Sequence, residues 1–542
     1  MNSIITLKDC AEILKNRDNI LILCHRSPDG DTIGSAFALL YALQKIGKKC
    51  MVDCSDTFAK KYSYILKSEN ALKKLESIRN FLLSDKWVAI LFVVAGVFAC
   101  LHSFFPKEQF QIWGTVVLAY FTGVTFVLSG DIMAMLIPSM FTYLIAIRCY
   151  DSLSTFMGIA WVFIPLIFML LFNIIAYRKK LTTKGSQFKP MMFVSVAVTI
   201  GGIGFISAKD YFAGSSIYHM LGMGFGMVLI YCFFYAKIDT NNDYSLIDKL
   251  TKIMVFVGLF ASFMVLAHYI ININTVIDKG GIFYIRWRNN ASTILMITMP
   301  FAFLRGNKKS YATIFGFIFY LAMLLTGSRG GMIFGSIEIV MCIVMFVLYD
   351  RRRRLAYAMI CMCLLFGVLI FLPQITQFLN YTFVRLFNVL NDFLLGGADT
   401  ETRVRHYARG IEDFLNQPIF GTGLGYMGNR DIFKNKPGAL CWYHCEPIQI
   451  AASFGVVGIA AFVYQFIKRM SLIWKKATLF NMTIFLSYIS LEMMSLVNPG
   501  IFCPIPYLLY VTLFMVLVEK CDGEFQEKII VRKKKKINEE KA

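Results

Sequence analysis

From about residue 87 onward the chain alternates long apolar runs with short polar connectors. The runs are centred near residues 96, 120, 140, 166, 198, 225, 261, 297, 318, 340, 364, 456, 488 and 511. An apolar run of about twenty residues spans a bilayer as a helix, whose backbone hydrogen bonds stay within the segment. The first residues follow a different pattern. An aliphatic run at Ile20 to Cys24 predicts a strand, Thr32 to Ile46 a helix, and Cys50 to Cys54 a second strand. The pattern therefore predicts a polytopic all-α membrane protein of about 12–14 transmembrane helices behind a small, incomplete α/β segment. The expected divisions are an N-terminal segment 1–70, a polar linker 71–86, a multi-span domain 87–520 containing a long loop 374–445, and a basic tail 521–542.

Charge orients this arrangement. With the amino terminus inside, the basic clusters Arg178–Lys189, Lys237–Lys252, Arg305–Lys309, Asp350–Arg354 and Lys468–Lys476 all fall on the cytoplasmic side, as does the tail. The opposite side is poorer in Lys and Arg, except for Arg286, Arg288, Arg329 and the loop 374–445. Both termini are expected to be cytoplasmic and the long loop extracytoplasmic. Hydrophobic residues make up 57% of the chain, above the apolar share of soluble domains. The net charge of +21 does not point to nucleic acid, because it is dispersed between spans; Arg532 to Lys536 reads as a tail near anionic lipid. Met1 to Ile20 shows no apolar core of a signal peptide. No Cys-x-x-Cys pair occurs among the fourteen cysteines, and the local cluster Cys441, His444, Cys445 leaves a disulfide or a metal site open.

Candidate chemistry gathers on the outer side. Arg329 lies in the turn TGSRGG at a membrane boundary, where it either pairs with a headgroup or holds an anionic ligand. Arg403, Arg405 and Arg409 cluster around His406, in a stretch read as helical from about Glu401. Arginine suits phosphate because its planar fork donates two hydrogen bonds at once. His444 precedes the next apolar run and is either a packed polar residue or an acid–base catalyst. Such a set fits a lipid-linked phosphate or pyrophosphate. With no Asp-x-Asp or acidic cluster in the outer loop, metal-independent transfer is the simpler expectation, and no cofactor is expected.

Three stretches carry a resemblance. TGSRGG, TRVRHYARGIEDFLNQPIFGTGLGY and WYHCEPIQIAASFGVVGIAAF together resemble the O-antigen ligase and polysaccharide polymerase superfamily, over residues about 190–520. The matching positions are Arg403 with Tyr407, then Pro418, Gly421 and Gly423, then His444 with Gly455 and Gly458. RWRNNASTILMITMP, from Arg286, resembles an upstream segment of the same family. Cys445 stands where that family usually has Asn, and Tyr407 where it usually has Trp. The resemblance implies a GT-C-like glycosyltransferase of a bacterial cytoplasmic membrane. It would move a glycan from undecaprenyl pyrophosphate to a glycan or glycolipid acceptor hydroxyl, outside the membrane and without a metal. His444 and Arg403 would be catalytic. Arg329, Arg286, Arg288, Arg405 and Arg409 would bind substrate.

The N-terminal segment resembles a different family. CHRSPDGDTIGS matches the first metal motif of DHH phosphoesterases through His25, Asp29 and Asp31. No Asp-His-His occurs later in the sequence, so the segment reads as a truncated domain whose metal ligands are vestigial. Two other functions stay open: a flippase for lipid-linked saccharides, with Glu338 and Glu492 the clearest charges within spans, and a tethered phosphodiesterase.

Overall fold

The protein is represented by a computed structural model that describes residues 6–24, 29–53, 110–128, 160–176, 183–202, 223–238, 243–274, 288–349, 398–424, 442–475, 478–497 and 506–520, with isolated positions between 77 and 97. It divides into two units, Met1–Ser84 and Asp85–Ala542.

In the first unit, α1 (Leu7–Asn16) precedes β1 (Ile20–Leu23), α2 (Gly30–Lys45) and β2 (Cys50–Asp53). The strands pair in parallel, Ile20 with Cys50 through Leu23 with Asp53, with α2 as the crossover. Ile33, Phe37 and Leu40 of α2 pack on Ile22, Cys50 and Val52. The helix begins two residues before the expected Thr32, because the Asp29 carboxylate caps it by accepting the Thr32 N–H at 2.9 Å. Asp18 fixes the strand entry: its Oδ1 accepts the Lys49 N–H at 2.7 Å and the Asn19 N–H at 3.1 Å. Those two backbone bonds hold its carboxyl below the usual range.

The second unit is helical wherever it is described as regular structure. In chain order it contains α3 (Phe110–Leu128), α4 (Ile164–Ala176), α5 (Phe188–Gly202), α6 (Phe225–Lys237), α7 (Asp243–Ile271), α8 (Arg288–Lys308) and α9 (Ala312–Leu325). There follow α10 (Arg329–Tyr349), α11 (Ala398–Asn416), α12 (Glu446–Trp474), α13 (Leu479–Ser495) and α14 (Pro506–Lys520). The apolar runs expected near 120, 166, 198, 225, 261, 297, 318, 340, 456, 488 and 511 all fall on these helices. Those expected at 140 and 364 lie outside the described residues. Among the described residues, three helices are long and apolar enough to cross a membrane: Leu246–Ile271, Arg329–Val347 and Glu446–Trp474. The chain is a polytopic α-helical membrane protein.

Its burial pattern suits a bilayer. Phe263, Ile270, Leu321, Val340, Val344 and Ile467 stay exposed on long helices, whereas Ser292, Glu338, Gln449, Thr483 and Ser490 are buried. Polar groups turned inward and apolar groups turned outward are what lipid as solvent requires. The central helix is α8, buried without interruption from Ala291 to Phe303 and packed by α7, α9, α10 and α13. Ser487 Oγ of α13 donates to the Ile297 carbonyl of α8 at 2.9 Å. At the Arg305 end of α8, Asp248 of α7 takes Arg305 at 2.8 Å and Lys308 at 2.7 Å. Elsewhere, Glu519 of α14 accepts Tyr231 Oη at 3.0 Å and the Ser186 N–H at 2.6 Å, joining α14 to α6 and the start of α5.

Candidate functional site

The glycine motifs form one interlock. Helix α12 is broken at Gly455, whose φ of +64° belongs to no right-handed helix. The turn Pro418–Gly423, directly after α11, enters this break. Thr422 and Gly423 donate N–H bonds to the Ala452 and Ser453 carbonyls at 2.8 and 3.1 Å. In return the Pro418 and Ile419 carbonyls accept from Val456 and Val457 at 2.8 and 3.2 Å. The turn thus supplies four bonds at the break, as an interrupted helix in a membrane protein needs. A Cβ on Gly421 would lie 2.3 Å from the Ser453 carbonyl carbon, and one on Gly455 would lie 2.4 Å from that of Ile419. Hence glycine at both positions, where φ is also positive.

This interlock brings α11 against the first turn of α12. His406, Gly410 and Asp413, spaced i, i+4 and i+7, form the buried face of α11. Gly410 leaves room for Ile448, which a Cβ would meet at 2.4 Å. His444 sits directly before the N-cap Cys445 with φ +56°, a conformation that a non-glycine residue holds only where its surroundings fix it. Its ring centroid is 5.4 Å from that of buried His406, at 43° between planes. Tyr443 donates its hydroxyl to buried Asp413. The Tyr443 N–H goes to Gln449 Oε1 at 2.9 Å, and Gln449 Nε2 in turn donates to Ser453 Oγ at 2.9 Å. Cys445 is a free, half-buried thiol; burial pushes it above the ordinary value, and the Glu446 carboxylate adds to this against a backbone bond from Ile448. Cys441, its expected neighbour, lies outside the described residues.

The arginines distribute unevenly. Helix α11 starts at Ala398 rather than about Glu401, so Arg403 lies within its second turn. Arg405 is exposed, and Arg409 pairs with Glu412 at 2.7 Å on the exposed face. Arg329 and Arg288, both half-buried, are the first residues of α10 and α8. Their neighbours join the two helix starts: Ser328 Oγ donates to Asn289 Oδ1 at 2.8 Å and accepts the Gly331 N–H at 3.2 Å. Arg286 lies outside the described residues. The start of α10 and the start of α12 both meet the C-terminal end of α13. A Cβ on Gly330 would lie 2.7 Å from Val497 Cγ2, and Glu446 shares a cavity wall with Ser495 and Leu496. The segments that carry Arg329 and His444 thus both lie near the residues that end α13.

That cavity, of about 310 Å³, lies between α12 and α13. It begins at Glu446 and Pro447, two to three residues beyond His444, and continues past Ile450, Phe462 and Phe466. Arg469, Tyr488 and Glu492 close it; Arg469 lies over the Tyr488 ring at 5.6 Å and donates to Tyr488 Oη at 3.4 Å. Its walls are mostly apolar, with polar groups at Glu446, Gln465, Arg469, Tyr488, Glu492 and Ser495.

Residues 314–463 match the family model described as O-antigen ligase. The matched range runs from α9 through the TGSRGG turn, α10, α11, the interlock and His444, to Val463 of α12. It supports a membrane enzyme of glycosyl transfer in O-antigen or polysaccharide assembly, with lipid-linked glycan and acceptor partners in general terms. The N-terminal unit lies outside it. No curated protein and no solved structure matches the chain.

In the N-terminal unit, Asp29 caps α2 and Asp31 is exposed in the first turn of that helix, while His25 lies outside the described residues. Among the described residues, no group of three or more His, Cys, Asp or Glu could hold a metal. Sequence reasoning missed Asp413, Tyr443 and Gln449. Their only signal was the position of His406, Gly410 and Asp413 on one face of a polar helix, which a surface helix shows equally well.

Proposed function

We propose that the protein is a membrane glycosyltransferase of the ligase or polymerase kind. It moves a glycan from an undecaprenyl-pyrophosphate donor to the hydroxyl of a glycan or glycolipid acceptor, on the outer face of the bacterial cytoplasmic membrane. The observation that carries this reading is His444, held at positive φ two residues before Glu446 on the wall of a largely apolar cavity, inside the family-matched range. The apolar walls of the cavity suit part of the isoprenoid chain of a donor. His444 takes the proton of the acceptor hydroxyl as the new glycosidic C–O bond forms. The C–O bond to pyrophosphate breaks in the same step, and Arg403 and Arg329 stabilise the charge on the departing oxygen. Arg286, Arg288, Arg405 and Arg409 serve as further anion contacts. In this reading the arginines supply the positive charge and the transfer needs no metal.

Purified protein in proteoliposomes with a lipid-linked glycan and an acceptor tests this. His444→Ala and Arg403→Ala should each lower transfer by about 100-fold or more, with normal insertion. Undiminished transfer in both variants would overturn the assignment. A donor that crosses the bilayer and is never consumed would point to a flippase instead.

A further inference from the structure

We propose that Asp413, Tyr443 and His406 are positioning residues that fix the His444 imidazole in one working orientation, an inference that rests on His444 being the reacting base. The positive φ at His444 is strained for a non-glycine residue, so the surrounding bonds have to over-determine it. They do so on both flanks. Before His444, Tyr443 is held at two points, by its hydroxyl on Asp413 and by its N–H on Gln449 Oε1 at 2.9 Å. After His444, the Cys445 carbonyl accepts the N–H of the same Gln449 at 2.9 Å. Gln449 therefore ties together the residues on either side of the histidine, and its own amide is fixed by Ser453. His406 bounds the imidazole itself, ring against ring at 5.4 Å.

Burial separates positioning from catalysis here. Asp413 is 0% exposed and Tyr443 2%. Neither can touch a glycan or a pyrophosphate, so any effect on turnover passes through the loop. Both belong to elements that the interlock already brings together, α11 and the entry to α12. The clamp thus adds orientation to a contact that exists without it.

The test uses full-length protein in detergent or nanodiscs, with the shape-preserving variants Tyr443→Phe and Asp413→Leu, each of which removes one partner of the hydrogen bond. Amide hydrogen exchange in peptides covering 442–447 should quicken in both, with exchange elsewhere unchanged and Tm within about 3 °C. Unchanged exchange in those peptides overturns the clamp, whether or not the protein transfers glycan. In turnover, each variant should lower kcat about 10- to 100-fold and leave the donor KM within about twofold. In a His444→Ala background the same substitutions should cost nothing further, whereas an additive loss would mean a merely structural role. His406→Phe, which keeps a ring against His444, should retain more activity than His406→Ala; equal loss removes His406 from the set. If His444→Ala itself transfers glycan normally, the functional reading fails, and the exchange result still decides the clamp.

Discussion

Val456 gives its backbone N–H to the carbonyl of Pro418 at 2.8 Å, so the broken middle of α12 is completed by a turn from another part of the chain. The two glycine motifs meet at this bond and its three companions. Gly455→Ala would place a methyl 2.4 Å from the Ile419 backbone on a residue already at positive φ. Backbone cannot yield as a side-chain tip would. The expected cost is about 2–4 kcal/mol, read as a lowered Tm and less monodisperse protein in detergent. An unchanged Tm would mean that the interlock is dispensable.

Gly331 tests the contact between α10 and the central α8. A Cβ there would meet Ser292 Cβ at 2.6 Å. Gly331→Ala should therefore separate the two helix starts that carry Arg329 and Arg288, at about 1–3 kcal/mol. Removing the opposing carbon with Ser292→Gly should recover part of that loss, whereas Ser292→Ala, which keeps the Cβ, should not. Equal behaviour of the two second-site variants in thermal denaturation would refute this packing account.

How much of this was legible in the sequence depends on the distance over which each feature acts. The helices were legible because a membrane span states itself locally, in about twenty consecutive apolar residues. Asp29 shows the limit of local motifs. Its place in a phosphoesterase-like string suggests a metal ligand, yet the same carboxylate caps α2, which any Asp at that position does. Gly421 and Gly455 were visible as motif members, but their purpose was not, since the reciprocal bonds join segments distant in sequence. Arg409 is read as an anion contact from its neighbourhood, and its i, i+3 pairing with Glu412 is one that the spacing permits without stating. Asp413 and Tyr443 were illegible for the same reason: a polar residue carries no mark of the partner that buries it.

The cluster around Asp248 separates two ion pairs of nearly equal length. Arg305, at 2.8 Å, has a side chain 15% exposed, and Lys308, at 2.7 Å, one 46% exposed. Water screens the second pair and much less the first. Double-mutant cycles should give about 1 kcal/mol of coupling for Asp248 with Arg305 and less than about 0.5 kcal/mol with Lys308. A larger coupling for Lys308 would mean that distance, not exposure, governs this cluster.

Cys445 provides a chemical probe of the loop that carries His444. Its thiol is half-buried, and burial together with the Glu446 carboxylate pushes its pKa above the ordinary thiol value. Only the thiolate is nucleophilic, and a raised pKa leaves less of it at any given pH below that value. Alkylation of Cys445 should therefore be slow near pH 8 and keep rising beyond the pH where an ordinary thiol levels off. Mass spectrometry of iodoacetamide adducts measures this against exposed Cys10 in the same sample. Glu446→Gln removes the neighbouring negative charge but keeps the side chain's shape. It should shift the Cys445 profile to lower pH, because the thiolate then forms without a carboxylate beside it. The Cys10 rate should not move. An unshifted Cys445 profile would leave burial as the sole cause of its slow reaction.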